Sequence, residues 1–351
     1  MLLLVALELL CAEAIASHYV EAPVGLHRAH ATRFWTLNPG RWFDGQCRDF
    51  VNVSSIGIRG AEPEAGKADL TVLLLGDSCI FGAGLKDSET LDRTLEKELA
   101  RVTGRRVRVF NGGCNGYSSG QGLDLLAELG PKLKPDIVVL EYMYGDAMPD
   151  TVSDAVRLGS PFVSSLRSLL WKSSVYTWLR QRLVATMADP LLQSAGNPMV
   201  AHDGSTPTPA YRATFDEYAA NLRECAALAH RQGARSVVFL LLPNVIDDGV
   251  QMMPYRRLVP SNPAGGGRQA KPASIWRSDH SGTLARVGRE AGVFVDGEQM
   301  WRAREDLQTM FWDNVHFNAA GSVAFAHDFA AALVAAGAVT AASGSPDGAS
   351  R

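Results

Sequence analysis

The sequence predicts an α/β protein whose core is a three-layer α/β/α sandwich around a five-stranded parallel sheet, with a helical cap inserted into it. Short apolar runs such as Leu70–Leu75 alternate five times with longer segments whose apolar residues recur at helical spacing. Runs that are apolar on both faces are typical of buried parallel strands, and this alternation indicates helices on both sides of the sheet. The apolar fraction, 46% of 351 residues, is large enough to fill such a core.

The elements follow from these patterns in chain order. Each predicted helix carries an apolar face, and two of them carry a start signal: Thr214 with Glu217 forms a capping box, and Asn318 caps the last helix. The predicted strands are Leu70–Leu75, Val107–Phe110, Ile137–Tyr142, Val237–Leu242 and Val293–Val295. The predicted helices cover residues 91–102, 123–129, 215–229, 280–290 and 319–336, and a long loop covers residues 243–279.

The same patterns divide the chain into an N-terminal segment, an arm, a core domain and a tail. Residues 17–69 lack clean periodicity and are interpreted as an irregular arm. The core domain covers residues 70–337, with the helical cap at residues 147–211. Residues 338–351 are small and polar, which predicts a disordered tail.

Residues 1–16 are apolar and are interpreted as a single membrane anchor or an export signal, which places the protein on the periplasmic side or at the cell surface. The segment is interrupted by Glu8 and Glu13, and it is shorter than the about 18 to 20 apolar residues of a spanning helix. It also lacks the basic residues that begin a signal peptide. An ordinary N-terminal helix of a cytoplasmic protein therefore stays open as the alternative.

The composition excludes several classes of function. The formal net charge of −3, from 34 basic and 37 acidic residues, gives no electrostatic footprint for nucleic acid. The five cysteines form no CxxC pair, so neither a structural zinc site nor a disulfide scaffold is predicted. The turn after the first strand contains neither a P-loop nor a dinucleotide-binding glycine pattern. No metal or organic cofactor is indicated.

Residues suited to nucleophilic catalysis follow two of the predicted strands. Ser78 comes directly after the first strand beside glycine, where its hydroxyl can be exposed on a tight turn. His316 lies in a loop after the fifth strand, with Asp313 three residues earlier. A serine needs an adjacent base, and a carboxylate can orient an imidazole for that task. His280, beside Asp279 in the long loop, is the competing histidine.

The loop after the second strand, Asn111–Gly116, contains two Asn-Gly steps. Such steps favour a strained backbone that can direct N–H groups at an oxyanion. An ordinary turn is the simpler interpretation. Cys79 and Cys114 flank the same region, and we interpret them as small buried apolar residues rather than as a disulfide or a reactive thiol.

These blocks together resemble the SGNH (GDSL-type) hydrolase family, through Gly76-Asp77-Ser78, the loop ending at Gly116, and Asp313 with His316. The resemblance implies a flavodoxin-like sandwich with Ser78 as nucleophile, His316 as base and Asp313 as its orienting carboxylate. It also implies that the backbone N–H groups of Ser78 and Gly116 form an oxyanion hole. The stretch Asn52–Gly60 resembles a membrane-anchored or exported branch of the family.

One position departs from the family pattern. Gly145 stands where the third block of the family has an asparagine that donates to the oxyanion. Asn115, or Asn111, could replace that donor. Loss of one such donor costs about 10²–10³ in rate, which an enzyme with an intact triad survives.

The resemblance implies a serine esterase acting on an O-acylated carbohydrate or a small lipid ester. Two alternatives stay open. One is an O-acyltransferase that modifies a cell-envelope polysaccharide from the same site. The other is a non-catalytic relative that binds acylated glycan.

Overall fold

The structure is a computed structural model, and it describes residues 2–19, 25–45, 47–63, 68–147, 149–150, 153–159, 161–187, 210–245, 271–313 and 315–342. Its centre is a five-stranded parallel sheet. In chain order, the described strands are β1 (His27–His30), β2 (Phe34–Leu37), β3 (Gly40–Asp44), β4 (Asp49–Val53), β5 (Leu70–Gly76), β6 (Val107–Gly113), β7 (Ile137–Glu141), β8 (Pro149–Asp150), β9 (Ala210–Tyr211), β10 (Ser236–Leu241) and β11 (Val293–Asp296).

Helices cover the sheet on both faces, which confirms the predicted sandwich. The described α-helices are α1 (Leu2–Tyr19), α2 (Ser78–Phe81), α3 (Leu91–Thr103), α4 (Ser119–Leu133), α5 (Asp154–Leu158), α6 (Pro161–Leu170), α7 (Ser174–Met187), α8 (Phe215–Arg231), α9 (Lys271–Ala291), α10 (Gly297–Trp301) and α11 (Ala319–Ala335). A 3-10 helix covers Leu307–Met310. The helix α3 packs against α11, while α8 packs against both α4 and α9.

The parallel sheet has the order β11-β10-β7-β5-β6, so the strand that precedes Ser78 lies between β7 and β6. All residues of β7, and all but one of β5, are buried. Side chains of a strand alternate between the two faces, and Val72 and Leu74 accordingly belong to one core cluster with α3 and α11. The carboxyl ends of β6, β5 and β7 therefore meet at one edge, where ligands bind in such sheets.

Contacts divide the chain into two compact units. One comprises Met1–Asn38 and Met148–Arg212, and the other comprises Pro39–Ala147 and Ala213–Arg351. In the first unit, the Glu13 carboxylate of α1 accepts a hydrogen bond from the Ser173 hydroxyl at 2.9 Å and another from the Ser174 backbone N–H, at the start of α7. No described helix has the length and apolarity that crossing a membrane requires. The anchor, the location and the domain boundaries stay predictions.

The arm predicted to be irregular contains two antiparallel hairpins, β1–β2 and β3–β4. Their strands have only four or five residues each, which is too short for a period-2 pattern to stand out. At the other end of the domain, Val339 is buried and Ala342 donates its N–H to the Val102 carbonyl at 3.0 Å. The first residues of the predicted tail therefore pack, and residues 343–351 lie outside the described residues.

The long loop predicted before the fifth strand ends earlier than expected. Helix α9 begins at Lys271 and not at His280, so the prediction of a loop up to Asp279 was wrong. Pro272 lies in the first turn of this helix, where a proline is tolerated, so the proline that suggested a loop is compatible with a helix start. Residues 246–270 of the predicted loop lie outside the described residues.

Candidate active site

Ser78 is the first residue of α2, the four-residue helix that follows β5. The Asp77 side chain caps this helix by accepting the Cys79 N–H at 2.9 Å. Gly76 precedes the turn because a Cβ there would lie 2.4 Å from the Ile80 side chain and 2.7 Å from the Glu141 carbonyl oxygen. The close approach of β5, β7 and α2 thus requires glycine, and it leaves Ser78 partly exposed at the carboxyl edge of the sheet.

The structure brings Ser78, His316 and Asp313 into one hydrogen-bonded chain. His316 Nε2 lies 2.8 Å from Ser78 Oγ, and His316 Nδ1 lies 2.6 Å from Asp313 Oδ2. Asp313 also accepts the backbone N–H groups of Val315 and His316 at 2.9 and 2.8 Å. Burial raises the pKa of the Asp313 carboxyl, but the His316 ring and these N–H donors outweigh it and hold the pKa below its ordinary value.

The Trp312 ring packs on one face of the His316 imidazole. Its ring stacks on that of His316, with centroids 5.4 Å apart and an interplanar angle of 18°. The indole N–H donates to the Ala83 carbonyl at 2.8 Å, and Gly84 leaves room for the ring because a Cβ there would lie 2.7 Å from it. The segment after Ser78 therefore holds the tryptophan that packs on the proposed base.

The loop after β6 lies beside the Ser78 turn. Gly113 pairs with Gly76, and a Cβ on Gly113 would lie 2.1 Å from the Phe81 backbone nitrogen. Cys114 donates its N–H to the Gly76 carbonyl at 3.1 Å. The next two residues, Asn115 and Gly116, are half-buried, and Gly116 has a φ of 72°, in the left-handed region that favours glycine. Their roles in an oxyanion hole stay predictions.

Asn111, one of the two residues predicted to replace the missing donor, does not fit that role. Its side chain is fully buried and donates to the Ile80 carbonyl at 2.9 Å and to Asp92 Oδ1 at 2.8 Å. Its oxygen accepts the Gly113 N–H at 3.0 Å. The amide thus ties β6 to the turn that contains Ser78, and its N–H groups are used inside the core.

Gly145 occupies its position because no side chain fits there. A Cβ would lie 1.8 Å from the Tyr117 carbonyl oxygen, so the loop after β7 packs directly on the loop after β6. The backbone N–H of Gly145 lowers the pKa of the buried Asp77 carboxyl. The asparagine of the family is therefore excluded by backbone packing in this chain.

We expect Gly145→Asn to lower the free energy of unfolding by about 3 kcal/mol, because the new side chain collides with backbone that cannot move aside. Urea denaturation measures the change. Gly282→Asn is the matched control, since Gly282 is exposed on α9 with nothing within 4 Å of a Cβ, and a change within about 0.5 kcal/mol is expected. A folded Gly145→Asn variant with increased hydrolysis would contradict the packing argument.

Arg59 was not singled out by the sequence reasoning, although it lies in the stretch Asn52–Gly60 that carries part of the family resemblance. Its guanidinium is buried and donates to the carbonyls of Phe81 and Gly82 at 2.9 and 2.8 Å. It also donates hydrogen bonds to the Leu85 carbonyl at 2.5 Å and to the Asp87 carboxylate at 3.0 Å. This side chain fixes the segment that leads away from Ser78.

The remaining candidates lie elsewhere in the fold. His280 is fully buried in α9 against the rings of Phe215 and Tyr218, with centroids 4.6 and 5.2 Å away, and the structure does not bring it to Ser78. None of the five cysteines, all of which are described, forms a disulfide bond. Cys79 and Cys114 are buried, as a packing role requires.

One family model matches most of this chain. A model of the GDSL-like Lipase/Acylhydrolase family matches residues 74–324, which include the three residues of the hydrogen-bonded chain. A search of curated proteins finds no significant match.

Among solved structures, a lipase/acylhydrolase from Enterococcus faecalis is similar at 15% identity and a TM-score of 0.43, covering 75% of this chain and 95% of that one. A catalytic mutant of an acetylxylan esterase from Geobacillus stearothermophilus is similar at 15% identity and a TM-score of 0.42, covering 78% and 96%. A GDSL-like lipase from Bacteroides thetaiotaomicron is similar at 14% identity and a TM-score of 0.40, covering 76% and 88%.

Proposed function

We propose, from the premise that this chain belongs to the GDSL-like lipase/acylhydrolase family, that it hydrolyses esters with Ser78, His316 and Asp313 as a catalytic triad. The observation that carries the proposal is the unbroken hydrogen-bonded chain from Ser78 Oγ through the imidazole to the Asp313 carboxylate. A serine hydroxyl is a weak nucleophile until an adjacent base takes its proton, and this arrangement supplies the base in a fixed orientation.

The reaction follows from that geometry. Ser78 Oγ attacks the ester carbonyl carbon while its proton passes to His316 Nε2. The negative charge that develops on the carbonyl oxygen is stabilised by the backbone N–H groups of Ser78 and Gly116, with Asn115 as a further donor. The imidazolium, held by Asp313, gives its proton to the leaving alcohol oxygen as the C–O bond breaks. Water, deprotonated by His316, then releases the acid and restores Ser78.

We propose an O-acylated carbohydrate or a small lipid ester as the substrate, which suits an enzyme exported or anchored by its apolar N-terminal segment. Transfer of the acyl group to a polysaccharide would use the same acyl-enzyme with a sugar hydroxyl in place of water. Product analysis separates the two, because hydrolysis yields free acid and transfer yields an acylated glycan.

The experiment that tests the proposal is labelling with a fluorophosphonate probe, followed by peptide mapping. We expect the adduct on Ser78, and we expect it to be lost in His316→Ala because the hydroxyl is then not activated. Ser88→Ala is a matched control, since Ser88 is exposed in the same segment and its loss should leave labelling unchanged. Folded protein that takes no label would favour the non-catalytic, glycan-binding alternative. Acetylated sugars and p-nitrophenyl esters of increasing chain length would then define the acyl group.

A further inference from the structure

Two acidic side chains, Asp77 and Glu141, are buried together beneath the nucleophile turn. Each is only 2% exposed. Glu141 is the last residue of β7 and pairs with Gly76, the last residue of β5. A Cβ on Gly76 would lie 2.6 Å from Glu141 Oε2, so this carboxyl is pressed directly against the turn that presents Ser78.

The hydrogen-bond donors around the two carboxyls are shared unequally. Asp77 accepts the N–H of Cys79 at 2.9 Å, and the backbone N–H of Gly145 also lowers the pKa of its carboxyl. The backbone N–H of Asp77 lowers the pKa of Glu141, but the Oε2 atom of Glu141, although buried, has no hydrogen-bond partner among the described residues. An unpaired buried carboxylate oxygen is costly, whereas a protonated oxygen becomes a donor.

Two carboxylates this close cannot both be ionised in a dry site. Side-chain oxygens of Asp77 and Glu141 lie within 4.8 Å of each other. One proton then suffices for the pair, and it resides on the group whose charged form has fewer donors. That group is Glu141. Its Oε2 atom is buried without a hydrogen-bond partner, and a proton on this atom would let it donate a hydrogen bond.

We propose that Glu141 is a neutral carboxylic acid in the folded enzyme and acts as a positioning residue, with the proton of Oε2 directed at the Asp77 carboxylate beneath Ser78. This contact would tie the end of β7 to the residue that caps the nucleophile helix. The proposal deepens the proposed function, on which it rests for the role of Ser78.

The surrounding charges agree with this assignment. Burial raises the pKa of Glu141 well above its ordinary value, and the nearby acids Asp77 and Asp146 raise it further. Burial also raises the pKa of Asp77, but the Cys79 N–H, the His316 ring and the Gly145 N–H lower it. Asp77 is therefore the better anion of the pair.

A metal ion is the rival occupant, because Cys79 Sγ completes a group of three ligand-type atoms with Asp77 and Glu141. Cys79, however, donates its S–H to the Val315 carbonyl at 3.6 Å. Burial and the neighbouring acids, Asp77 first among them, raise the pKa of this thiol well above its ordinary value. Since metals bind the thiolate, the site is better suited to a proton than to a cation.

The test compares the pH dependence of unfolding in wild type, Glu141→Gln and Glu141→Ala. A carboxyl whose folded pKa is raised keeps its proton when folded and loses it on unfolding at neutral pH. The wild-type unfolding constant should therefore rise about tenfold per pH unit relative to Glu141→Gln, from the unfolded pKa of about 4.3 up to the raised pKa of the folded state. The glutamine amide replaces the O–H donor, so it should also rescue the kcat that Glu141→Ala loses.

Three results would overturn the proposal. One is a Glu141→Gln variant whose unfolding has the same pH slope as wild type. Another is a Glu141→Gln variant with a kcat as low as that of Glu141→Ala. The third is a wild-type protein that Mg²⁺ or Zn²⁺ stabilises while Glu141→Gln is unaffected, which would assign the site to a cation. Unfolding needs no substrate, so its pH slope can be read even if Ser78 takes no fluorophosphonate label.

Discussion

Replacement of Ser78 by alanine is expected to reduce ester hydrolysis at least about 10³-fold while leaving the fold intact. The hydroxyl is the only group in the proposed chain that can form the acyl-enzyme, and its loss also removes the hydrogen bond to His316 Nε2. The fold should tolerate the change because Ser78 is partly exposed and is held in its turn by backbone contacts and by the Asp77 cap.

Steady-state hydrolysis of p-nitrophenyl acetate, with thermal unfolding as the control for folding, measures this effect. Residues that act as one unit are not additive, so Ser78→Ala/His316→Ala should lose no more than about threefold beyond Ser78→Ala alone. A Ser78→Ala enzyme that keeps activity within tenfold of wild type would exclude the triad.

The largest expected loss of stability comes from Arg59→Met, at about 3–5 kcal/mol. The guanidinium is 1% exposed, and its removal takes one hydrogen-bond donor from the Asp87 carboxylate and one from each of three backbone carbonyls. Lysine is no substitute, because a single ammonium cannot reproduce the planar fork that serves several acceptors. Methionine keeps much of the apolar volume, so the measured loss reports the hydrogen bonds.

Urea denaturation of Arg59→Met, compared with Arg231→Met, provides the measurement. Arg231 pairs with Glu224 at 2.5 Å, but its side chain is 57% exposed, and such surface pairs contribute less than about 1 kcal/mol. Equal losses in the two variants would show that the buried hydrogen bonds of Arg59 do not stabilise the segment after Ser78. Because Arg59 fixes the segment after Ser78, a lowered kcat in the folded variant is also expected.

The sheet and the central chemistry of the site could be predicted from the sequence because both leave local signals. Apolar runs mark the buried strands, and strand ends must meet at one edge of a parallel sheet. Ser78 and His316 could therefore be brought together by reasoning although 238 positions separate them.

The parts that could not be predicted depend on contacts between distant segments. Nothing in the residues around Asn111 shows that its amide is used by Ile80 and Asp92. In the same way, glycine at position 145 indicates only a lost donor when the sequence is considered alone. The structure adds the reason, because the Tyr117 carbonyl fills the space that a side chain would need. Arg59 belongs to no local motif, and its acceptors lie more than twenty positions away in the sequence, so its buried hydrogen bonds could not be predicted.

The position of His316 has a consequence for biosynthesis. The histidine lies in the loop before α11. Helix α11 packs on α3, where the hydroxyls of Thr94 and Ser322 are hydrogen-bonded at 3.2 Å. A chain emerging from the ribosome exposes Ser78 first and gains the His316 imidazole only after 238 further residues have been translated. Fragments from interrupted synthesis, and the nascent chain itself, are therefore expected to be inert toward the acyl groups of the producing cell.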